Sequence, residues 1–393
     1  MHRTREIILL CLLLCLVSCG KKYRLHEVEM SQTSVWPYLR GEASALGSAE
    51  NARFAGRLGF VWESGMHGKP AGPLTLYHNT IICPENRKRI CFWNRETGQN
   101  LGRVKIKGVP FSGVVISGRT AFVAAGPKRN ELLAYDLIDR NTLWELPLRD
   151  ANAGPILVNS RLLVSTRGGT LMAISSDDGS RDWTFKSEDR FTASASVGDG
   201  RIFQPADNGR LYAVSVDDGQ ELYSIDLKGP IAGVPAVADR VYTADVTGHV
   251  YALEPATGDI AWEQQVGHPV WTSPAVAHGR LFIGHSGGGV VALDALTGAQ
   301  LWTFDAVEVV RASPLAVGQY VVVATMGGHL YVLKADSGEV VDSTEVKGGV
   351  LYPPVTDGTR VYVATQAGKI VCFGENNEQV STADQGINAQ HQP

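Results

Sequence analysis

The sequence predicts an all-β protein: an eight-bladed β-propeller with four antiparallel strands per blade and an N-terminal strand that closes the last blade. Three observations carry this prediction. A phrase of about forty residues recurs along the chain, and each copy reads as four short strands. The last copy lacks its outer strand, while an unpaired strand-like segment precedes the first copy.

The recurring phrase is clearest in the second half of the chain. Residues 280–302, RLFIGHSGGGVVALDALTGAQLW, show it in full. Related copies begin near residues 81, 121, 161, 201, 240, 321 and 360, which makes eight copies at spacings of 39 to 42 residues. A repeat of this length is one supersecondary unit that needs its neighbours to bury its apolar faces.

Each copy carries the signals of four strands. A proline such as Pro274 opens the inner strand, where no donor of the hydrogen-bond ladder is lost. A turn leads to the second strand, a glycine-rich tip to the third, and a Thr-Gly or Asp-Gly turn to the fourth, which carries a Trp in most copies. Because a four-stranded sheet has two faces to cover, packing such sheets face to face around an axis predicts a propeller.

The two ends of the repeat region predict how the ring closes. After Phe373 the chain turns polar, and residues 58–62, LGFVW, lie before the first inner strand. We expect this segment to complete the last blade. The predicted domains are a lipoprotein signal peptide at 1–18, a lipid-anchored tether and leader segment at 19–56, the eight-bladed propeller at 57–380 and a disordered polar tail at 381–393.

The first twenty residues have the features of a signal peptide for export. Arg3 and Arg5 precede an apolar run of 11 residues, 7–17, which spans roughly 16 Å as a helix and is too short to cross a bilayer. The run ends in LVSCG at 16–20, which resembles the bacterial lipobox and implies acylation of Cys19. Gly20 after the cysteine favours the outer membrane. The alternative is an ordinary secretion signal that contains a chance cysteine.

Composition excludes some other classes of protein. The formal net charge of −4 and the lack of a basic block argue against a nucleic-acid binder. Once the signal has left and Cys19 is acylated, Cys83, Cys91 and Cys372 remain. Cys83 and Cys91 flank a predicted hairpin tip, and they either form a periplasmic disulfide or are small buried hydrophobic residues. At least one of the three thiols stays unpaired.

The candidate motifs for catalysis and metal binding lack the neighbouring structure or residues that such sites require. Residues 284–288, GHSGG, match the nucleophile-elbow pattern, but that motif needs a strand running into a helix, and here a hairpin tip is predicted. The glycine run lacks the Lys of a phosphate-binding loop, and the histidines lack metal-ligand spacing. The sequence therefore predicts no cofactor and no metal site. His249 and His329 are expected to be solvated turn residues.

The phrase ALDALTGAQLW at 292–302 resembles the docking motif of the quinoprotein (PQQ-repeat) β-propeller superfamily, and residues 252–262 and 173–183 repeat it more loosely. This resemblance implies that the Gly and the Trp lock adjacent blades, the indole packing on a neighbouring turn while its N–H meets a carbonyl. With the lipobox and eight copies, the chain most resembles the BamB-like outer-membrane assembly lipoproteins of that superfamily. Dehydrogenases of the superfamily typically carry a vicinal Cys-Cys pair and a calcium site, and no Cys-Cys dipeptide occurs here.

The resemblance also implies where partners bind. The loops that join each outer strand to the next inner strand would dock the barrel-assembly protein, and Arg190 falls where a docking arginine is expected. The alternative interpretation is that Arg190 is a solvated charge in a loop. The next loop holds Pro-Ile-Ala at 230–232 where the family has acidic residues, which is a departure. Trp271 and Arg311 each lie three residues before an inner-strand proline, and we expect them to form a partner-contact surface at the funnel mouth.

The leading hypothesis is a non-catalytic, periplasm-facing scaffold lipoprotein of the outer membrane. It would assist assembly or insertion of outer-membrane β-barrel proteins, by docking a barrel-assembly protein or by adding strands of unfolded clients to its blade edges. It would meet the membrane through its lipid anchor only and would bind no nucleic acid. One alternative is a quinoprotein-like (PQQ-dependent) dehydrogenase or small-ligand binder that uses the central funnel. Another is an envelope or adhesion scaffold unrelated to barrel assembly.

Overall fold

The structure, a computed structural model, describes residue 41 and residues 43–126, 131–148, 150–151, 153–191 and 193–375. Cys19, the predicted signal peptide and the predicted tail lie outside these residues. The described residues form 34 strands in eight sheets, and this confirms the predicted eight-bladed propeller. Nowhere in the described part of the chain does a helix have the length and apolarity that membrane crossing requires.

Each of the first four blades is a sheet whose strands follow the chain outward from the central axis. Their strands are β3 (Thr75–Tyr77), β4 (Thr80–Glu85), β5 (Arg89–Asn94) and β6 (Asn100–Lys105) in blade 1; β7 (Val109–Pro110), β8 (Val115–Ser117), β9 (Thr120–Gly126), β10 (Glu131–Asp136) and β11 (Thr142–Pro147) in blade 2; β12 (Ile156–Val158), β13 (Arg161–Ser165), β14 (Thr170–Ser175) and β15 (Arg181–Lys186) in blade 3; and β16 (Ser196–Gly198), β17 (Arg201–Pro205), β18 (Arg210–Ser215) and β19 (Glu221–Asp226) in blade 4.

The last four blades repeat this arrangement, with two strands supplied by the N-terminal part of the chain. Their strands are β20 (Ala236–Val237), β21 (Val241–Ala244), β22 (His249–Leu253) and β23 (Ile260–Gln265) in blade 5; β24 (Ala275–Ala277), β25 (Arg280–His285), β26 (Gly289–Asp294) and β27 (Gln300–Asp305) in blade 6; β1 (Ser48–Ala49), β28 (Leu315–Val317), β29 (Tyr320–Ala324), β30 (His329–Lys334) and β31 (Val340–Glu345) in blade 7; and β32 (Val355–Thr356), β33 (Val361–Thr365), β34 (Lys369–Gly374) and β2 (Gly59–Gly65) in blade 8.

The core lies between blades rather than within them. In blade 6 the middle strands β25 and β26 are buried along almost their whole length, whereas the outer strand β27 alternates between exposed and less exposed residues. The middle strands have a neighbouring blade on each face, so they carry continuous apolar runs such as Leu281-Phe282-Ile283. One face of blade 6 packs on blade 5 and the other on blade 7.

The ring closes as predicted. Strand β2 pairs antiparallel with β34 and forms the outer edge of blade 8. Trp62 lies opposite Cys372, in the same register position that Trp262 occupies opposite Ala252 in blade 5. The first and last parts of the repeat region therefore share one sheet.

An aromatic side chain from the outer strand locks most blades to the next one. Trp262 Nε1 donates to the Ala295 carbonyl at 3.0 Å, and a Cβ added at Gly298 would lie 2.6 Å from that indole. This confirms the lock implied by the family resemblance. The same lock is made by the pairs Trp62–Arg95, Trp144–Ser176, Trp183–Val216, Tyr223–Pro255 and Trp302–Ala335. Blade 7 has Asp342 at this position, and its carboxylate instead accepts the Leu58 N–H at 2.8 Å.

Residues 43–49 run along the inner edges of blades 4 to 7, a path that the sequence does not predict. The carbonyls of this segment accept backbone N–H groups from successive inner strands at 2.8–3.1 Å: Ala43 from Val197, Ser44 from Val237, Leu46 from Val276 and Gly47 from Ala316. These bonds use donors that an inner edge strand otherwise leaves unpaired. The chain then crosses to the rim, where Phe54 packs edge-on against Tyr320. Residues 43–58 of the described chain therefore lie against the ring and do not hang free of it.

The three remaining cysteines are buried. Cys83 and Cys91 face each other across β4 and β5, as their spacing predicts, but both are free thiols, and so is Cys372. Burial raises the pKa of the Cys83 and Cys91 thiols well above the ordinary value. The interpretation as small buried hydrophobic residues is confirmed.

We predict that Gly98→Ala will destabilise the ring far more than Gly200→Ala. Both glycines have a positive φ, of 68° and 70°, so both alanines carry about 1 kcal/mol of backbone strain. At Gly98 the new Cβ would also lie 2.5 Å from the Trp62 indole, whereas nothing lies within 4 Å at Gly200. Urea denaturation should show a loss of about 2–4 kcal/mol in the free energy of unfolding for Gly98→Ala and about 1 kcal/mol for Gly200→Ala. Equal losses would contradict the closing role of Trp62.

Candidate functional site

The loops of the propeller divide into two faces. One face, which we call the inter-blade face, carries the loops from each outer strand to the next inner strand together with the tips between second and third strands. The opposite face carries the short turns of the other two connections. Since the strands are used up in blade packing, the more varied loops of the inter-blade face are the natural place for a binding site.

The inter-blade loops are fixed to the hairpin tips of the blades that follow them. In seven of the blades the tip donates a backbone N–H to a loop carbonyl at 2.8–3.0 Å: Asn86 to Lys69, Arg167 to Asp150, Asp207 to Arg190, Val246 to Pro230, Ser286 to Pro269, Met326 to Val309 and Gln366 to Gly349. These bonds hold the loops in defined positions, so binding to them would cost little ordering entropy.

Arg190 lies in the loop between blades 3 and 4 and is exposed. Its backbone carbonyl is bonded to Asp207, but its guanidinium has no ion-pair partner among the described residues. The neighbouring Asp189 holds the loop down, because its carboxylate accepts from Tyr212 Oη at 2.5 Å and lies 3.6 Å from Arg210 Nη1. Arg190 is thus an unpaired cation on a loop of fixed shape.

The next loop does not present acidic side chains to a partner. Ile231 is 1% exposed and packs into the core between blades 4 and 5. The nearest acidic group in the following hairpin, Asp245, is itself fully buried. Burial alone would raise its pKa, but hydrogen bonds from Thr247, the His249 backbone and Tyr251 outweigh burial and lower it. Asp245 therefore organises the tip of blade 5.

Trp271 and Arg311 are brought into direct contact. The Arg311 guanidinium carbon lies 4.9 Å from the centre of the Trp271 ring, which is a cation–π geometry. Trp271 is 43% exposed, and three further exposed apolar residues lie on the loop of Arg311 or on the tip bonded to it: Val307, Val309 and Met326. We call these five residues the Trp271 surface. Arg190 lies on a different part of the ring, between blades 3 and 4.

The loop of Arg311 is held by an ionic contact that the sequence analysis missed. Glu308 Oε2 accepts from Thr325 Oγ1 at 2.5 Å and lies 3.0 Å from His329 Nδ1. His329 is partly exposed beside the hairpin tip, as expected, but its ring also contacts Glu308, which was not predicted. His249 likewise faces carboxylates, at 3.7 Å from Asp245 and 3.5 Å from Glu263. Both histidines open a third strand, next to the outer strand and the inter-blade loop, and that position explains their acidic neighbours.

The mouth of the central channel is built from small residues in contact. Ser273 donates its backbone N–H to Ser313 Oγ at 2.9 Å, and Val234 donates to Ser273 Oγ at 2.8 Å. A Cβ added at Gly233 would lie 2.5 Å from the Thr272 carbonyl oxygen. The starts of neighbouring inner strands thus touch at this level. Within the described ranges, no three His, Cys, Asp or Glu side chains are grouped so that they would hold a metal ion.

Ser286 occupies the hairpin tip that the sequence predicts. Its Oγ donates to the Pro269 carbonyl at 3.1 Å, between β25 and β26, and a strand follows it. A nucleophile elbow is therefore absent at this position.

Comparison with known proteins places the chain in a family. Residues 86–230 and 207–392 match the protein family described as outer membrane protein assembly factor BamB. The chain belongs to this family. A BamB from Yersinia pestis is 27% identical to it over 173 residues, which cover 39% of this chain and 44% of that protein. The alignment thus spans less than half the length of that relative.

Solved structures show the same fold at lower identity. BamB from Moraxella catarrhalis superposes with a TM-score of 0.71 at 17% identity, covering 81% of this chain and 100% of that chain. A europium-containing methanol dehydrogenase superposes with a TM-score of 0.77 at 12% identity, covering 86% and 98% of the two chains. Identities this low show the fold alone, so the BamB family assignment rests on the sequence match.

We predict that the contact between Glu308 and His329 holds its loop most firmly between about pH 4.5 and 6.5. The hydrogen bond to Glu308 raises the pKa of His329 from its ordinary 6.5, so this contribution is fully present below 6.5 and is lost as the pH rises through the raised value. Bonds from Thr325 and His329 lower the pKa of Glu308 from 4.5, so its contribution is lost as the pH falls below that value.

Hydrogen exchange, corrected for intrinsic rates, provides the measurement. The Met326 amide, bonded to Val309, should be best protected inside this window and less protected at pH 8. The equivalent amide of Asp207, whose loop is held by Asp189 and Tyr212, supplies the internal control because no histidine takes part in that contact. The same pH profile at both amides would rule out a specific role for His329.

Proposed function

We propose that this chain is a non-catalytic scaffold lipoprotein, anchored to the outer membrane and facing the periplasm, that assists the assembly of outer-membrane β-barrel proteins. The observation that carries the proposal is membership of the BamB family, whose description is outer membrane protein assembly factor. The rigid inter-blade face supports it, because a scaffold needs contact residues held in position.

The Trp271 surface is the contact we assign to the barrel-assembly partner. It combines a half-exposed Trp, an Arg packed on its ring and exposed aliphatic residues on a loop that is hydrogen-bonded to the next blade. Trp and Arg are the residues most enriched among those that dominate binding energy. Arg190 provides a second, purely ionic contact from blade 4. Because the following loop is apolar where acidic residues are expected, the partner meets this chain through a different set of side chains there.

A quinoprotein-like dehydrogenase or small-ligand binder is the alternative function. It rests on the shared propeller fold, which the methanol dehydrogenase superposition illustrates. The chain lacks the Cys-Cys dipeptide of those enzymes. An envelope scaffold unrelated to barrel assembly is the third reading. Quinone absorbance or stoichiometric calcium in the purified chain would favour the enzyme.

We expect affinity purification of the tagged chain from detergent-solubilised envelope to recover barrel-assembly components. Trp271→Ala should reduce that recovery about tenfold or more, since residues of this kind contribute about 2 kcal/mol or more when they lie at the centre of an interface. Leu296→Ala is the matched control, because Leu296 is 71% exposed but lies in a turn on the opposite face. If the wild-type chain recovers no barrel-assembly component, the proposal is wrong.

We also expect Cys19→Ser to abolish acylation of the chain and to weaken its attachment to the membrane fraction. The acyl chains on Cys19 would provide the anchor, and each buried methylene contributes about 0.8 kcal/mol to membrane binding. Fractionation after labelling with radioactive palmitate tests this directly. Label on the wild-type chain that Cys19→Ser abolishes is the expected result, and label that persists in Cys19→Ser would contradict it.

A further inference from the structure

Blade 1 carries a concentration of positive charge on the inter-blade face. One lysine comes from the loop that enters the blade, two residues come from the tip between β4 and β5, one begins β5, and two come from the outer strand β6. These residues, which we call the blade 1 basic cluster, are Lys69, Arg87, Lys88, Arg89, Arg103 and Lys105. The formal net charge of the whole chain is −4, so the cluster stands against the overall charge.

None of these six cations forms an ion pair with a described residue. The acidic residue of the same tip, Glu85, is fully buried, and its Oε1 accepts the His67 backbone N–H at 3.2 Å. Arg87, Lys88, Arg103, Lys105 and Lys69 are all exposed. The exposed charges of the cluster are therefore all positive, and its one carboxylate, Glu85, is buried opposite Arg89.

The strand register shows how unusual this charge arrangement is within the ring. Arg89 lies opposite Glu85 on β4 and opposite Lys105 on β6, so the β5–β6 pair places two like charges on facing strands. The equivalent pair in blade 4 is Arg210 opposite Asp226, which form a 2.6 Å ion pair. In blade 7 it is His329 opposite Glu345. Like charges directly opposite each other destabilise a sheet, so blade 1 carries a repulsion that its sister blades avoid.

The tip of blade 1 carries a second cost at the same place. Lys88 has a φ of +59°, a left-handed conformation that strains an L-residue. At the equivalent position of blades 3 to 8 the residue is a glycine: Gly169, Gly209, Gly248, Gly288, Gly328 and Gly368. Strain that a glycine would remove, in a residue that adds charge to the cluster, points to a role outside folding.

The surroundings of the cluster indicate the kind of partner. Protein interfaces have an apolar core with aromatic anchors. Among the described residues, the large exposed hydrophobic side chains all lie outside residues 66–141. A surface with charge but no apolar anchor suits a layer of anionic phosphate headgroups, where each Lys or Arg contributes by electrostatics alone.

We propose that the blade 1 basic cluster binds the anionic phosphate headgroups of a bilayer surface. The acyl chains on Cys19 would hold the chain at the bilayer, and this cluster adds an electrostatic contact from the folded ring. The expectation that the chain meets the membrane through its anchor only is revised by this proposal. The cluster lies on blade 1 and the Trp271 surface on blades 5 to 7, so headgroup binding and partner docking are separable.

Vesicle binding tests the proposal with the full-length chain. The vesicles contain phosphatidylcholine alone or with about 30 mol % phosphatidylglycerol, and an acyl anchor contributes equally to both, so the difference in affinity measures the charge contribution. We compare Arg103→Gln/Lys105→Gln in blade 1 with Arg181→Gln/Lys186→Gln in blade 3. Both pairs lie on an outer strand, are exposed and remove the same charge.

We expect the blade 1 pair to lose affinity for anionic vesicles about five-fold per charge, roughly 25-fold in all, while its affinity for neutral vesicles and that of the blade 3 pair stay near wild type. The wild-type preference should fade in 0.5 M salt, where screening is nearly complete at contact distance. Equal affinity of the wild type for both vesicles, or an equal loss in both double variants, would overturn the proposal. Tight binding to immobilised polyglutamate without vesicle binding would assign the cluster to an acidic protein and overturn it as well.

Lys88→Gly separates a binding role from a structural one. We expect its melting temperature to rise, because glycine adopts a positive φ without strain, while its affinity for anionic vesicles falls about five-fold. A higher melting temperature with unchanged vesicle binding, or a lower melting temperature, would contradict the proposed role of Lys88. Since the assay contains no barrel-assembly partner, its failure would leave the scaffold proposal standing.

Discussion

The structure depends on the pairing of β2 with β34. Residues from opposite ends of the repeat region share one sheet, and Trp62 then packs over Gly98 of blade 1. Without this contact, blades 1 and 8 would each leave one apolar face uncovered, including Trp93 and Tyr362, which are now fully buried in one cluster. Bringing the two ends of the repeat region together closes a much longer loop than pairing two neighbouring blades does. The entropy cost of this closure is therefore larger, although it grows only slowly with loop length. The packing of Trp62 over Gly98 and the burial of the apolar cluster offset this entropy cost.

Closure also determines where the molecule can work. A closed ring buries the two middle strands of each blade, and the inner edges of blades 4 to 7 are covered by residues 43–49. Sequence changes that leave the core intact are therefore confined to the loops. A backbone hydrogen bond fixes the inter-blade loop of blades 1 and 3 to 8 to the hairpin tip of that blade. These loops therefore keep constant relative positions, and side chains from two blades, such as Trp271 and Arg311, meet. The ring supplies geometry, and the loop sequences supply specificity.

The fold was predictable from sequence because its signals are local and repeated. A proline, a glycine-rich tip and a Trp at fixed offsets define each blade, and Leu58–Trp62 supplies the missing outer strand. The path of residues 43–49 was not predictable, because ASALGSA has no strand periodicity and its hydrogen bonds go to inner edges that exist only once the ring has formed. The contact of Glu308 with His329 joins a loop to the next hairpin, so neither segment alone carries its signal. Trp271 and Arg311 could be paired as equivalent positions, but their stacking needed the spacing between blades.

The blade 1 basic cluster is not visible in the overall composition. The charges come from three segments, Lys69, residues 87–89 and strand β6, and a net charge of −4 averages them away. The cluster becomes apparent when the residues at equivalent positions of the blades are compared. Blades 3 to 8 place glycine where blade 1 places Lys88, and blade 4 places opposite charges where blade 1 places Arg89 and Lys105. A sequence selected for folding alone would satisfy both rules, because Lys88 strains the β4–β5 tip and the Arg89–Lys105 repulsion weakens the adjoining β5–β6 pair. Two violations that coincide at one tip, each adding positive charge, are best explained by a negatively charged surface that this tip meets.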